Sequence, residues 1–284
     1  MPMRREYSDD IWNKLQAIFL FLMRGNKIPS KFRNLESKPI TDMIRALGYE
    51  YVHLRETTST QDVAKELLRR GYTKAIVRAD IQLLGRGRFG RTWYSPEGGL
   101  WISILDCGKA LYPNIIIPTA IVVFLRTFYK IDAMTKWPND VYVYGKKLAG
   151  ILVESLSSGS EVYYISGVGL NVNNDPPIEK AISLKQIIGN DVALDVILLG
   201  VILFYDLLKT LRDPLTVFKR LCVSLGKPIL IRFIDNREAV GKLIDIYYDG
   251  TALFELDNGK KILVHASDVL HAYLSAPLNN SKSI

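Results

Sequence analysis

Apolar positions along this chain recur with two periods, and the alternation between them predicts the order of its elements. Spacings of three and four residues over Asp10–Arg24 predict an amphipathic helix stopping near Gly25, and Thr41–Leu47 predicts a short helix ended by Gly48. Val63, Ala64, Leu67 and Leu68 share one helical face closed by Gly71, and Ser59 with Asp62 three positions on offers an N-terminal cap. Strand-like runs follow at Lys74–Ala79 and Leu100–Leu105. Ile117–Tyr129 predicts a helix with Pro118 in its first turn, where a missing N–H costs least. Four β-rich segments come next, Ala133–Trp137, Val141–Tyr144, Leu148–Ser155 and Val162–Gly167, broken by Pro-Asn-Asp and Tyr-Gly-Lys-Lys turns. Helices fit Val192–Leu211 and Pro214–Ser224. After Gly226 only small strands remain, Lys227–Phe233, Glu238–Tyr247, Thr251–Leu256 and Lys260–Val264, which predict a compact β barrel or sandwich.

Composition narrows the class. The 284 residues, 48% hydrophobic and 23% charged, suffice for about two domains with a sizeable core. The apolar runs Leu15–Met23 and Val196–Tyr205 fall short of the roughly 20 residues a membrane helix needs, and no cleavable signal is apparent. Asp195 and Asp206 flank the second run, as suits a helix buried in a core. Cys107 and Cys222 lie far apart with no metal-ligand spacing, which points to a reducing, cytoplasmic setting. A net charge of +8 suits an acidic partner or an anionic substrate, although dispersed lysines and arginines equally make a solvated surface.

One stretch concentrates the charge. Gly85-Arg86-Gly87-Arg88-Phe89-Gly90-Arg91 alternates residues that let a backbone approach a ligand with residues that bind phosphate. Trp93 and a β-like run follow it, so it reads as a loop on a folded scaffold. Three further segments carry polar groups in suggestive order: Thr58-Ser59-Thr60-Gln61 before a helix; Lys136-Trp137-Pro138-Asn139-Asp140 with Lys146-Lys147-Leu148-Ala149-Gly150-Ile151; and Gly167-Val168-Gly169-Leu170-Asn171. Each has a plain structural alternative. Ser59 to Gln61 can cap a helix, Gln82 can be a surface glutamine, Trp93 a core aromatic, Trp137-Pro138 a turn former and Asn171 a turn asparagine. His53, His265 and His271 fall outside these segments and receive no catalytic role.

Taken in this order, the segments resemble the biotin protein ligases over roughly residues 51–270. The resemblance implies an α+β catalytic domain over 51–225 like class II aminoacyl-tRNA synthetases, with a mixed sheet. It also implies an SH3-like barrel over 226–273, leaving a helical extension at 1–50 and a flexible tail at 274–284. It implies biotin contacts from Ser59, Thr60, Gln61, Gln82, Gly85, Arg86, Gly87, Arg88, Lys147 and Gly150. For the nucleotide it implies Arg86, Arg88, Arg91, Trp93, Asn139, Lys147 and Asn171, with Trp93 stacking on adenine. Catalysis would fall to Lys147, Arg86, Arg88 and Asp140, and Asp140 would also meet Mg²⁺ carried by ATP. This chain has Leu83 where such ligases often carry a small residue or Thr. The implied reaction forms biotinyl-5′-AMP and passes biotin to a lysine of a biotin carboxyl carrier protein, with a homodimer plausible. Residues 1–50 show no pattern of second helix and wing, so no sequence-specific DNA binding is expected. The alternatives are a lipoate or octanoate ligase or transferase, whose transferase form needs a cysteine that neither Cys107 nor Cys222 supplies, and a nucleic-acid-binding regulator.

Overall fold

A computed structural model describes residues 40–108 and 112–274. The chain divides into two compact units, Met1–Gly48 and Tyr49–Ile284. In the first, α1 (Ile40–Ala46) ends at Gly48, whose φ of 83° is the left-handed conformation glycine adopts freely. The expected Asp10–Arg24 helix lies outside the described residues.

Among the described residues the second unit holds two sheets. The larger runs in the order β1-β2-β3-β7-β6-β5-β4: β1 (Glu50–Thr57), β2 (Ala75–Gln82), β3 (Leu100–Cys107), β4 (Met134–Lys136), β5 (Asp140–Val143), β6 (Lys146–Ser158) and β7 (Glu161–Leu170). Only β1 and β2 pair in parallel, because α2 (Thr60–Arg69) carries the chain back between them; the remaining neighbours are antiparallel. The result is a mixed α+β fold with a large mixed sheet.

Strand alternation assigns the two faces of this sheet. Ala75, Val77, Leu105 and Ile165 turn toward α2, where Ala64 completes their cluster. Arg78 and Asp106 point the other way, to Asp195 and Lys209 of α5 (Leu194–Lys209). There α5 packs on α3 (Pro113–Phe128), closely enough that a β-carbon on Gly200 would stand 2.2 Å from the Phe124 ring. Helix α2 packs mainly on β2, β3 and β7, and beside it a cavity described below opens toward β6 and β5.

The smaller sheet is antiparallel throughout, in the order β11-β10-β9-β8-β12, from β8 (Pro228–Phe233), β9 (Glu238–Ile246), β10 (Ala252–Leu256), β11 (Lys261–Val264) and β12 (Val269–Leu274). Its apolar face shares one core with α6 (Pro214–Leu221), Ile115 and Trp137. Trp137 is the bolt between the sheets. Its ring is 1% exposed and edge-on to Phe254 at 5.5 Å, while Nε1 donates to the Gly250 carbonyl at 2.9 Å.

Three expectations need correction. Helix α3 begins at Pro113 rather than Ile117, so Pro118 sits in its interior. Pro113 takes the first-turn place that suits proline, and the Thr119 hydroxyl donates to the Ile115 carbonyl in the turn that Pro118 interrupts. Ser59 makes no side-chain cap on α2, because Gln82 at the end of β2 accepts from the Thr60 N–H and Asp62 turns to Arg86 instead. Three elements had escaped the pattern: β1, β12, and α4 (Leu184–Ile188), whose capping box of Ser183 and Gln186 was legible as Ser-x-x-Gln. Among the described residues no helix is long and apolar enough to cross a membrane.

Candidate active site

The turn from β1 into α2 makes the first wall. Ser59, Thr60 and Gln61 are nearly fully buried there. Parallel pairing of Thr57 with Gln82 brings the Gln82 side chain to the start of the helix. Its Oε1 accepts from the Thr60 N–H at 2.9 Å and the Thr60 hydroxyl at 3.0 Å, and its Nε2 donates to Ser95 at 3.0 Å. The amide orientation is therefore fixed by neighbours, and one N–H of Nε2 stays uncommitted.

The Gly-Arg segment is a folded hairpin. Gln82 and Trp93 donate backbone bonds to Ser95 and Gly85 at 3.1 and 2.8 Å, and Gly87 bonds Arg91 at 2.7 Å. Phe89 and Gly90, at φ 58° and 69°, turn its tip. Gly85 serves the hairpin itself: a β-carbon there would lie 2.4 Å from the Trp93 carbonyl, and Gly85 does not line the cavity.

The three arginines part company. Arg86 grips Asp62 with both terminal nitrogens, at 2.6 and 2.8 Å, a bond that raises the guanidinium pKa and lowers that of the carboxyl. Arg88 crosses to the smaller sheet, donating to the Ala266 and Val269 carbonyls and, at 3.1 Å, to Asn139 Oδ1. Burial pushes its guanidinium below the ordinary value. Arg91 follows it, to the Leu270 carbonyl at 3.3 Å and near His271 Nδ1 at 3.4 Å. The hairpin is thereby latched onto the segment 266–271.

The floor is glycine. Gly150 of β6 and Gly169 of β7 are direct partners, and the Trp93 indole lies on both. A β-carbon at Gly169 would stand 2.3 Å from Trp93 Nε1, so only glycine seats that ring. Nε1 itself is buried without a hydrogen-bond partner. Lys147, at the start of β6, holds its ammonium 5.1 Å over the Trp93 ring and 2.6 Å from Asp140 Oδ1. Asp140 Oδ1 has no well-directed hydrogen bond, so this contact is ionic rather than a shaped donor–acceptor pair.

These walls enclose a cavity of about 470 Å³, within the size range of small-molecule sites. Of the expected site residues it brings together Ser59, Thr60, Gln61, Gln82, Arg86, Gly87, Arg88, Arg91, Trp93, Asn139, Asp140, Lys147 and Gly150. Asn171 is not among them. Its Nδ2 donates to Ile182 at 3.3 Å and its Oδ1 accepts from Asn174 at 3.0 Å, so both ends of the amide are spent on the chain turn. Asp140 is the sole carboxylate among the lining residues and is committed to Lys147, and no group of three metal-ligating side chains occurs among the described residues. The described residues therefore make no resident Mg²⁺ site of their own.

Some lining residues had been given no site role. Lys136 is 8% exposed, donates to the Ala272 carbonyl at 2.7 Å, and is pushed below its usual pKa by burial. His271 lines the outer end of the cavity, and burial lowers its pKa before the nearby Arg91, Arg232, Lys136 and Lys147 add to that. Strand β12 had been missed altogether, which hid this wall.

Comparison with known proteins bears on the whole arrangement. Residues 53–171 match the model of the biotin/lipoate A/B protein ligase family. The chain is 30% identical over 245 residues to the bifunctional ligase/repressor BirA of Bacillus subtilis (strain 168), covering 78% of this chain and 74% of that protein. A biotin–[acetyl-CoA-carboxylase] ligase of Paracoccus denitrificans is 34% identical over 137 residues, 43% of this chain and 55% of its own. Among solved structures, the biotin protein ligase from Aquifex aeolicus in complex with biotin and ATP superposes with a TM-score of 0.65 at 28% identity, covering 79% of this chain and 99% of that one.

Proposed function

This chain belongs to the biotin protein ligase family, and from that premise we propose that it activates biotin with ATP and transfers it to a lysine of a carrier protein. A carboxylate oxygen of biotin attacks the α-phosphorus of ATP. The bond from that phosphorus to the bridging oxygen of the β-phosphate breaks, so pyrophosphate leaves and biotinyl-5′-AMP remains. The neutral amine of an acceptor lysine then attacks the acyl carbon, the acyl–oxygen bond to AMP breaks, and the amine gives up a proton.

The observation that carries this reading is Lys147, held 2.6 Å from Asp140 inside a glycine-floored cavity beneath Arg86 and Arg88. Both steps build negative charge on oxygens at the junction of acid and nucleotide. Fixed cations in a site closed from water stabilise such charge without reorganising. In this reading Asp140 keeps Lys147 aimed, and Arg86 and Arg88 close the hairpin over the mixed anhydride. Ser59, Thr60, Gln61 and Gln82 hold the vitamin's ring, and Gly87 and Gly150 give it room. Trp93 receives the adenine, with Arg91 and Asn139 beside the phosphates. ATP would be taken up as its Mg²⁺ complex, the cation being supplied with the substrate.

We further read the large sheet with its helices as class II aminoacyl-tRNA synthetase-like, and residues 226–273 as an SH3-like barrel beside a catalytic domain over 51–225. The carrier is proposed to be a biotin carboxyl carrier domain, the ligase a homodimer, and its setting the reducing cytoplasm that two unpaired cysteines suit. No sequence-specific DNA binding is assigned. The test is purified protein with ATP, Mg²⁺, labelled biotin and an acceptor domain. Label should reach one acceptor lysine only when ATP is present; labelled lipoate accepted in preference to biotin would reverse the assignment.

Trp93 gives a separate check. Trp93→Ala should raise the KM for ATP roughly tenfold, the usual scale of one base-stacking contact, with a smaller change for biotin. Steady-state kinetics varying each substrate in turn would show it, and an unchanged KM for ATP would remove the stacking role.

A further inference from the structure

Gln61 is buried in the cavity wall, 4% exposed, and its amide is held from behind. Its Nε2 donates to Glu154 Oε2 at 2.9 Å, from β6. The same carboxylate is paired with Lys65 Nζ at 3.0 Å, one turn further along α2. A carboxylate paired with a lysine only accepts hydrogen bonds, so the amide of Gln61 has one permitted orientation. Nε2 must face Glu154, and Oε1 must face the opposite way.

That oxygen is the informative atom. It is buried with no hydrogen-bond partner, over Gly167, where a β-carbon would stand 3.1 Å from it. An orphaned buried acceptor is costly, and proteins keep one where something else completes it. The group that completes it must bring an N–H or O–H donor into the inner end of the cavity, beside Thr60 and Gln82.

We propose that Glu154 is a positioning residue that fixes Gln61 as a hydrogen-bond acceptor, so that the inner cavity selects an acid whose ring carries N–H donors. The inference rests on the reading of this site as a biotin site. It extends that reading to a residue that touches no substrate, and to a reason for discrimination. The cyclic urea of biotin carries two ring N–H groups. A dithiolane or a plain acyl chain, which ligases of related fold accept, has none and would leave Oε1 unsatisfied. Sites built to bond a donor reject analogues lacking it far more strongly than apolar pockets reject a change of size.

The test is kinetic, on the full chain. Glu154→Gln keeps size but lets residue 154 donate as well as accept, so Gln61 is free to flip. The KM for biotin should rise roughly five- to tenfold, the scale of one lost hydrogen bond, with kcat and the KM for ATP near wild type. Lys65→Met leaves the Gln61–Glu154 bond and should change the KM for biotin less than about twofold, the scale of a partly exposed ion pair. The exchanged pair Gln61→Glu with Glu154→Gln again presents an acceptor to the cavity and should recover most of the affinity, with melting temperatures confirming that all variants fold. An unchanged KM in Glu154→Gln, no recovery in the exchanged pair, or a Lys65→Met effect as large as that of Glu154→Gln would each overturn the proposal. Wild-type protein that turns over no biotin would instead remove the functional reading, and this inference with it.

Discussion

Lys147→Ala should lower the rate of adenylate formation by roughly two to three orders of magnitude, the usual cost of deleting one fixed charge or donor aimed at a developing oxyanion. Lys147 stands at the start of β6, braced by backbone bonds to Lys180 and Ile182 at 2.8 and 3.0 Å and by the Asp140 carboxylate. That bracing is what makes the ammonium a preorganised charge rather than a mobile one. Its removal also leaves Asp140, 15% exposed, without its ion-pair partner, so a fall in melting temperature accompanies the loss of rate. The double variant Lys147→Ala with Asp140→Asn separates the two effects, and should recover melting temperature while adenylate formation stays lost. Recovery of activity along with stability would show that Lys147 acts only on the fold.

Arg88→Gly should release the intermediate. The Arg88 guanidinium joins the hairpin tip to Asn139, in the turn before β5, and to the carbonyls of Ala266 and Val269 at the entry to β12. Few single side chains here span so much of the structure. Losing these charge-assisted bonds, along with any to the adenylate, should weaken its retention by roughly tenfold to a hundredfold. Free biotinyl-5′-AMP should then accumulate in solution and label bystander lysines, measured as untargeted biotinylation of an added protein. Arg88→Lys should fall between wild type and glycine, because an ammonium keeps the charge and loses the fork. Equal retention of adenylate in all three proteins would contradict the latch.

These assignments show where the sequence was legible. The strings at 136–140 and 147–152 are contiguous, so their turn and strand were readable, and Lys147 and Asp140 do meet across the β5–β6 hairpin. The Gly-Arg run was readable as a loop for the same local reason. What one residue does to another across the fold was not. Asp62 looked like part of a cap because its partner Arg86 is delivered by the hairpin after β2. Gln61 and Glu154 lie 93 positions apart and meet only because β6 joins the sheet next to β7. Lys136 and Arg88 end on carbonyls of 266–272, in a region whose last strand had no clear period-2 pattern. Asn171 and Gly85 had the right neighbours in sequence, but the amide of one bonds Ile182 and Asn174 and the other closes the hairpin, away from the cavity lining. Pro118 misled through a sound local rule, since a proline six positions into a helix is rarer than one at its start.

The central claim is that this cavity joins a carboxylic acid to the α-phosphate of ATP. Biotin-dependent exchange of labelled pyrophosphate into ATP tests it most directly, because it reads the first step with no acceptor present. Label should appear in ATP when biotin is added, and not without it or in Lys147→Ala. Exchange that proceeds equally with and without biotin, or that never occurs in wild-type protein, would contradict the account.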